Sequence, residues 1–437
     1  MATGRILLLF AIFIGSISYL GFVPQQSDFE KIIISYSIAF LSYFFLVFRQ
    51  NTVSNFNLLI VLTFISRLIL LFSFPNLSDD IYRFIWDGRC MHSGISPFQY
   101  LPSDIIGQYN GLTKDLYGHL NSPHYYSIYP PVGQLVSYMA TLPFICSYYE
   151  SAIVFKVFIL MAEIGSFILG LRLLKFLNLP KERIFIYTLN PLILIELVGN
   201  IHFEAFMVFF LLGTIFLLVK NDIVQSSISF GFAVSSKLLP IMFVPLLLAK
   251  MKGFKSLINY GIIAISVTSL CFLPLLNNEI IKNIKSSIGL YVNKFEFNAS
   301  VYYILREIGF MIKGFNTIHI IGPFLSVLTV LLISIQALIY FKKSEKNKNF
   351  ILFFFMAFCT YLFLATIVHP WYLSVPLVLC IFTSYRFPVL WSALIFLTYS
   401  NYNDSQYFEN LWVVLVEYSI VIGYMVYEIR SKGGGSL

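Results

Sequence analysis

The chain has 437 residues, of which 58% are hydrophobic, 18% aromatic and only 11% charged, with a net charge of +8 and a mean hydropathy of +0.81. So few charges cannot clothe a soluble domain in a solvated surface, so the composition excludes that class and leaves a polytopic membrane protein. The basic excess needs no nucleic-acid partner, because Lys and Arg gather in short loops, the pattern of a cytoplasmic bias set against anionic lipid.

Apolar runs suited to crossing about 30 Å of hydrocarbon recur from end to end and predict an all-α bundle of about 12–14 transmembrane helices. Ile6 to Val23 reads as a retained first helix, since no A-x-A-like cleavage site follows and a second run begins near Ile32. Residues 1–57 therefore hold two helices. Residues 58–276 form a membrane module with a long outer loop over 76–150, residues 277–317 a second outer loop, and residues 318–432 the C-terminal helices. Gly433-Gly434-Gly435-Ser436-Leu437 reads as an appended linker.

Basic loops at Arg49, Arg172 to Arg183, Lys220, Lys250 to Lys255, Lys342 to Lys348, Arg386 and Arg430 to Lys432 are assigned to the cytoplasm. Counting from a cytoplasmic Met1 then puts the third span's exit, Ser78-Asp79-Asp80-Ile81-Tyr82-Arg83, on the outer side. Pro130 to Cys146 is apolar, but a full crossing there would turn the basic 172–183 loop outward, so a juxtamembrane or re-entrant helix is expected. Ile223 to Ala249 is too long for one helix and short for two, with Lys237 and Pro240 at its centre, and reads as two short, broken spans. Cys271, Cys359 and Cys380 lie in apolar runs as small hydrophobes, whereas Cys90 and Cys146 could pair outside.

With this topology the chemical residues gather on one side. Adjacent acids at a span's mouth are expensive unless they take a proton, hold a metal or pair with a cation, which makes Asp79 and Asp80 the catalytic candidates. Tyr82, Arg83, Trp86 and Tyr129 follow in the same loop, and Glu204, Asn298, and then His369, Trp371 and Tyr372 lie in later outer connections, all as substrate-binding candidates, with His202 beside Glu204. Within the membrane, Arg67 and Lys237 are candidates for binding an anionic headgroup such as a phosphate, with Glu163 and Glu196 as available counter-charges. Each has a plain rival. Ser78 and Asp79 could cap a helix, Arg83 and Asp87 are spaced i,i+4 as a helix-surface pair, His202 and Glu204 could cap a tight turn, and Trp371 and Tyr372 suit an interfacial aromatic belt. Arg67, Lys237, Glu163 and Glu196 could equally be a structural charge network. There is no Gly-rich phosphate loop, CxxC pair or HExxH helix.

Taken in order, Ser78-Asp79-Asp80-Ile81-Tyr82-Arg83, Gly94, Pro97-Phe98, Tyr129-Pro130-Pro131, Asn190-Pro191 with His202-Phe203-Glu204, Asn298 with Ser300, and His369-Pro370-Trp371-Tyr372 resemble the GT-C superfamily of lipid-phospho-sugar-dependent glycosyltransferases. The likeness is strongest to the branch containing family 87 enzymes and the catalytic subunit of the first GPI mannosyltransferase, over roughly residues 58–385. It implies transfer of a hexose, mannose in that branch, from a polyprenyl-phosphate donor to the hydroxyl of a glycan, glycolipid or other acceptor, outside the plasma (inner) membrane of a bacterium. The reaction inverts the anomeric carbon, with Asp79 as base and Asp80 orienting it or holding a metal, and with Arg67, Lys237 or His202 at the phosphate. The acids here are adjacent rather than spaced D-x-D, which leaves a Mg or Mn ion at Asp79 and Asp80 an open question. A secondary transporter or lipid-linked glycan flippase would also use broken helices and buried charge, but wants its acids at mid-membrane; a lipid-linked oligosaccharide ligase or polymerase would want a larger, Arg-rich outer loop.

Overall fold

The computed structural model describes residues 2–143, 145, 147–251, 253–342, 346–402 and 409–432. The architecture is all-α and polytopic, and the only strand pairing among the described residues is an isolated bridge between Phe297 and Ile367. The N-terminal half runs α1 (Ala2–Phe22), α2 (Phe29–Phe44, continued as a π-turn over Phe45–Arg49), α3 (Phe56–Leu71), α4 (Asp80–His92), α5 (Pro102–Ile105), α6 (Lys114–Gly118), α7 (Pro131–Ala140), α8 (Tyr148–Phe176) and α9 (Ile184–Thr188). A π-helical segment, Ile193–Gly199, leads into α10 (Glu204–Val219), and α11 (Ile223–Ser236) follows. Beyond it come a 3-10 turn over Leu239–Phe243, α12 (Val244–Lys250), α13 (Phe254–Phe272), α14 (Ile280–Asn293), α15 (Val301–Lys313), α16 (Ile318–Lys342) and α17 (Lys346–Leu364). A 3-10 turn over Pro370–Leu373, then α18 (Ser374–Cys380), α19 (Phe387–Leu394) and α20 (Leu411–Lys432) complete the chain.

Among the described residues, α1, α2 with its π-turn, α8, α13, α16 and α20 are each long and apolar enough to cross a membrane. Ile193–Gly199 and α10 together satisfy the same test but meet at 111°, and the shorter apolar segments include α3, α11 and Leu239–Lys250. The segment expected to be broken, 223–249, is broken where Lys237 adopts extended backbone (φ −158°, ψ 143°) ahead of Pro240. The segment expected not to cross, 130–146, holds only the ten residues of α7, a rise of about 15 Å. Cys146, the proposed partner of Cys90, and the 433–437 linker lie outside the described residues.

Two local devices place the Asp79 loop. The end of α3 leaves carbonyls without helical partners, and Lys156, fully buried in α8, donates from Nζ to Leu70 O (2.8 Å), Ser73 O (2.6 Å) and Ser73 Oγ (2.7 Å). A cation at a helix C-terminus also suits the dipole there. On the far side of the loop, α4 packs against α7 at Gly88, where an added Cβ would sit 2.3 Å from the Ser137 carbonyl oxygen. Backbone cannot yield as a side-chain tip does. Gly88→Ala is therefore expected to separate α4 from α7, lowering stability by about 1–3 kcal/mol; a thermal melt in detergent that matches the wild type would show that the two helices are not so closely held.

Candidate active site

Where α3 delivers the chain, Asp79 occupies the N-cap position of α4 yet makes no side-chain capping bond. Its carboxylate is thus not consumed by the role a helix start would give it. Asp80, at the first turn, accepts a hydrogen bond from Asn121 Nδ2 at 2.9 Å. Both acids line a cavity of 1110 Å³ that also collects Arg83, Tyr129, His202, Glu204, Lys237, His369, Trp371 and Tyr372.

The roof is the 122–134 segment, and α4 holds it. Arg83 Nε meets Asp87 Oδ1 at 2.8 Å, both side chains being buried, while Arg83 Nη1 donates to Ser122 O (3.0 Å) and Tyr125 O (2.9 Å). Asp87 Oδ2 in turn accepts from Ser127 Oγ (2.5 Å) and Gln134 Nε2 (2.9 Å). The i,i+4 spacing read as a helix-surface pair is instead a buried bracket.

Opposite the acids, the chain reverses between Ile193–Gly199 and α10, with Ile201 in left-handed backbone (φ 62°). That turn presents His202, whose Nδ1 lies 2.7 Å from the Glu196 carbonyl oxygen and whose Nε2 lies 4.0 Å from Asp80 Oδ2. The ring stacks on Trp371 at 3.7 Å between centroids, and Trp371 stacks on His369 at 4.4 Å. Lys237 enters from the break after α11, pairs with Glu204 and lies 4.5 Å above the Tyr372 ring. Glu196, one of its two expected counter-charges, accepts instead from Tyr399 (2.9 Å) and Asn200 (3.2 Å).

The cavity also has an extensive apolar lining. Away from the acids it is walled by Leu239, Ile241, Met242, Val244 and Pro245 on one side and by Gly322, Thr329, Val330 and Ile333 of α16 on the other. Ile241 is 52% and Val330 61% exposed, so this wall reaches the apolar flank of the bundle.

Four expected site residues lie elsewhere. Arg67 is sealed in the bundle, its guanidinium 2.6 Å from Glu163 Oε2 and bonded to Thr63 O (3.0 Å) and Thr188 O (2.8 Å), so it forms a structural pair and lines no part of the cavity. Tyr82 stacks on His119 at 4.6 Å, and the buried Trp86 packs edge-on to Tyr117 at 6.2 Å. Asn298 bonds Glu417 through its side chain (3.1 Å) and Glu409 through its backbone N–H (2.7 Å). As for Mg or Mn, the described residues contain no group of three or more His, Cys, Asp and Glu side chains placed to hold a metal ion. The sequence reading missed Asn121 and Lys156. Asn121 and Asp80 stand 41 residues apart in an aperiodic loop, and no spacing rule joins them.

Residues 18–252 match the family described as alpha-(1->6)-mannopyranosyltransferase, N-terminal domain, a stretch holding Asp79, Asp80, Arg83, Tyr129, His202, Glu204 and Lys237. The chain belongs to this family. It is thus a mannosyltransferase-type glycosyltransferase and a hexosyltransferase, with a sugar donor and an acceptor as its partners. No curated protein matches the chain. The remaining cavity residues of this mannosyltransferase, His369, Trp371 and Tyr372, follow the matched stretch and meet it through the His202–Trp371 stack.

Burial raises the pKa of both acids. For Asp80 the Asn121 hydrogen bond and the Lys237 charge oppose that rise, while Glu204 and Asp79 add to it. A carboxylate acting as base must be ionised, so activity is lost as pH falls through its raised pKa. Asn121→Ala removes a bond that stabilises the carboxylate and is expected to move the acidic limb of the kcat/KM profile to still higher pH. An unmoved limb would show that Asp80 does not govern it.

Proposed function

We propose that the enzyme transfers mannose from a polyprenyl-phosphate donor to an acceptor hydroxyl, with inversion and with Asp80 as general base, on the extracytoplasmic side of a bacterial inner membrane. The observation that carries this reading is that one cavity brings Asp80, His202 and Lys237 together with an apolar lining whose Ile241 and Val330 are exposed on the bundle flank. A prenyl chain suits that wall, where burying its methylenes contributes about 0.8 kcal/mol each relative to water. The phosphate then lies at Lys237, which supplies a positive charge where negative charge grows on the leaving oxygen. Because the donor's phosphate is anchored in the bilayer, no nucleotide-diphosphate site is required.

Asp80 rather than Asp79 is assigned as base, the reverse of the division read from the sequence. Asp80 is fixed by Asn121 and faces His202, while the neighbouring charge that acts on Asp79 is His119. On this assignment the acceptor hydroxyl attacks the anomeric carbon from the face opposite the phosphate and passes its proton to Asp80. Tyr129, Trp371 and Tyr372 offer ring faces or edges to the sugars. Arg83 shapes the roof instead of touching substrate.

The family's printed linkage is alpha-(1->6), and one inverting displacement yields an α product only from a β-linked mannosyl phosphate. Purified protein given β-linked polyprenyl-phospho-mannose and an acceptor is expected to release polyprenyl phosphate. Asp80→Asn should lower that rate by about 10³-fold, roughly 4 kcal/mol of transition-state stabilisation, with the protein still eluting as a single species. Near wild-type turnover by this variant, or equal use of the α-linked donor, would contradict the assignment.

A further inference from the structure

His202 has two nitrogens with different tasks. A backbone carbonyl oxygen can only accept, so Nδ1, 2.7 Å from Glu196 O, carries a proton. In the neutral ring Nε2 is then a lone pair. It is buried, has no hydrogen-bond partner and faces Asp80 Oδ2 at 4.0 Å. An ionised carboxylate and a bare ring nitrogen opposed in this way are two acceptors, and a single proton between them satisfies both. The same lone pair repels phosphate oxygens, which makes the phosphate contact expected of His202 unfavourable until Nε2 is protonated.

Behind the ring lies the Glu196 side chain. Its Oε2 lies 3.4 Å from Nδ1, and its two oxygens are held by Tyr399 (2.9 Å) and Asn200 (3.2 Å). A carboxylate at that edge stabilises positive charge on the imidazole. Burial is the main opponent of its protonation, and the other charged or titratable groups facing the ring are Lys237 and, across Trp371, His369, which both oppose it further, and Glu204, which pairs with Lys237.

We propose that His202 is the proton partner of Asp80, receiving at Nε2 the proton that Asp80 removes from the acceptor. This rests on the assignment of Asp80 as base. The acceptor O–H bond breaks as its oxygen bonds to the anomeric carbon, and the bond from that carbon to the phosphate oxygen breaks with its electron pair retained by the phosphate. The proton ends on Nε2, shared with Asp80, and the departing anion faces an imidazolium as well as Lys237. Closing 4.0 Å to an ordinary hydrogen bond of about 2.8 Å takes about 1.2 Å of movement, within what substrate binding brings to such contacts.

Azide separates this role from phosphate binding, since it attacks as an anion and needs no base. With β-linked polyprenyl-phospho-mannose and a hydroxyl acceptor, His202→Gln is expected to slow transfer about 10²-fold with the donor KM within about twofold of wild type, while azide attacks the anomeric carbon to form mannosyl azide and restores release of polyprenyl phosphate in both His202→Gln and Asp80→Asn. Rescue of Asp80→Asn alone would place His202 on the phosphate and overturn the proposal. Failure to rescue either variant would overturn the assignment of Asp80 as well. Should His202→Gln not fold, ¹⁵N spectra of the wild-type histidines decide: a bare Nε2 with Nδ1–H is expected at high pH, and an Nε2–H ring at His202 contradicts it.

Discussion

Arg83 and Asp87 stand one turn apart on α4, and burying both charges is tolerable only because each directs its remaining hydrogen-bonding capacity onto residues 122–134. Removing one partner of such a pair costs about 3–5 kcal/mol, because the other is left charged and out of water. That bracket makes α4 and the roof one body. Asp80 is the first residue of the same helix, so its position relative to Tyr125 and Tyr129 follows from the bracket, and its own hydrogen bond from Asn121 completes the placement. Lys156 fixes the opposite side by anchoring the end of α3. The carboxylate thus hangs between two buried cations that do not touch it.

The rest of the site comes from interrupted helices. The 111° bend before α10 carries His202, and the break after α11 frees Lys237 to pair with Glu204. Interrupted backbone at this depth is tolerated where it lines a polar cavity, and both interruptions do so. Catalysis needs donors and acceptors aimed at reacting atoms, and a continuous apolar helix presents few. For the proposed donor, two broken helices beside an apolar wall provide for both a lipid tail and a charged headgroup.

Features that depend on chain-local physics were readable in the sequence. The apolar runs announce the class, Pro240 beside Lys237 marks the break, and the basic 172–183 loop argues against a crossing over 130–146. The order of the short motifs points to the family, and the paired acids mark the mouth of the third span. What the sequence could not convey is which way a helix is rotated and which distant loop covers it. Arg67 and Lys237 look alike as cations in apolar surroundings, yet Glu163 on α8 seals one into the bundle while the other reaches the cavity. Trp86 sits two turns from Asp80 but on the face turned to Tyr117, and Asn298 finds Glu417 119 residues later. Local spacing contains neither fact.

In the proposed reading, one cavity holds the donor's phosphate at Lys237 and its prenyl chain along the 239–245 wall. A structure with a non-transferable phosphonate analogue of polyprenyl-phospho-mannose tests it most directly. Phosphorus is expected within about 5 Å of Lys237 Nζ, the range in which opposite charges interact strongly, with the chain running between Ile241 and Val330. Phosphorus density elsewhere, or a prenyl chain on another face of the bundle, would contradict it.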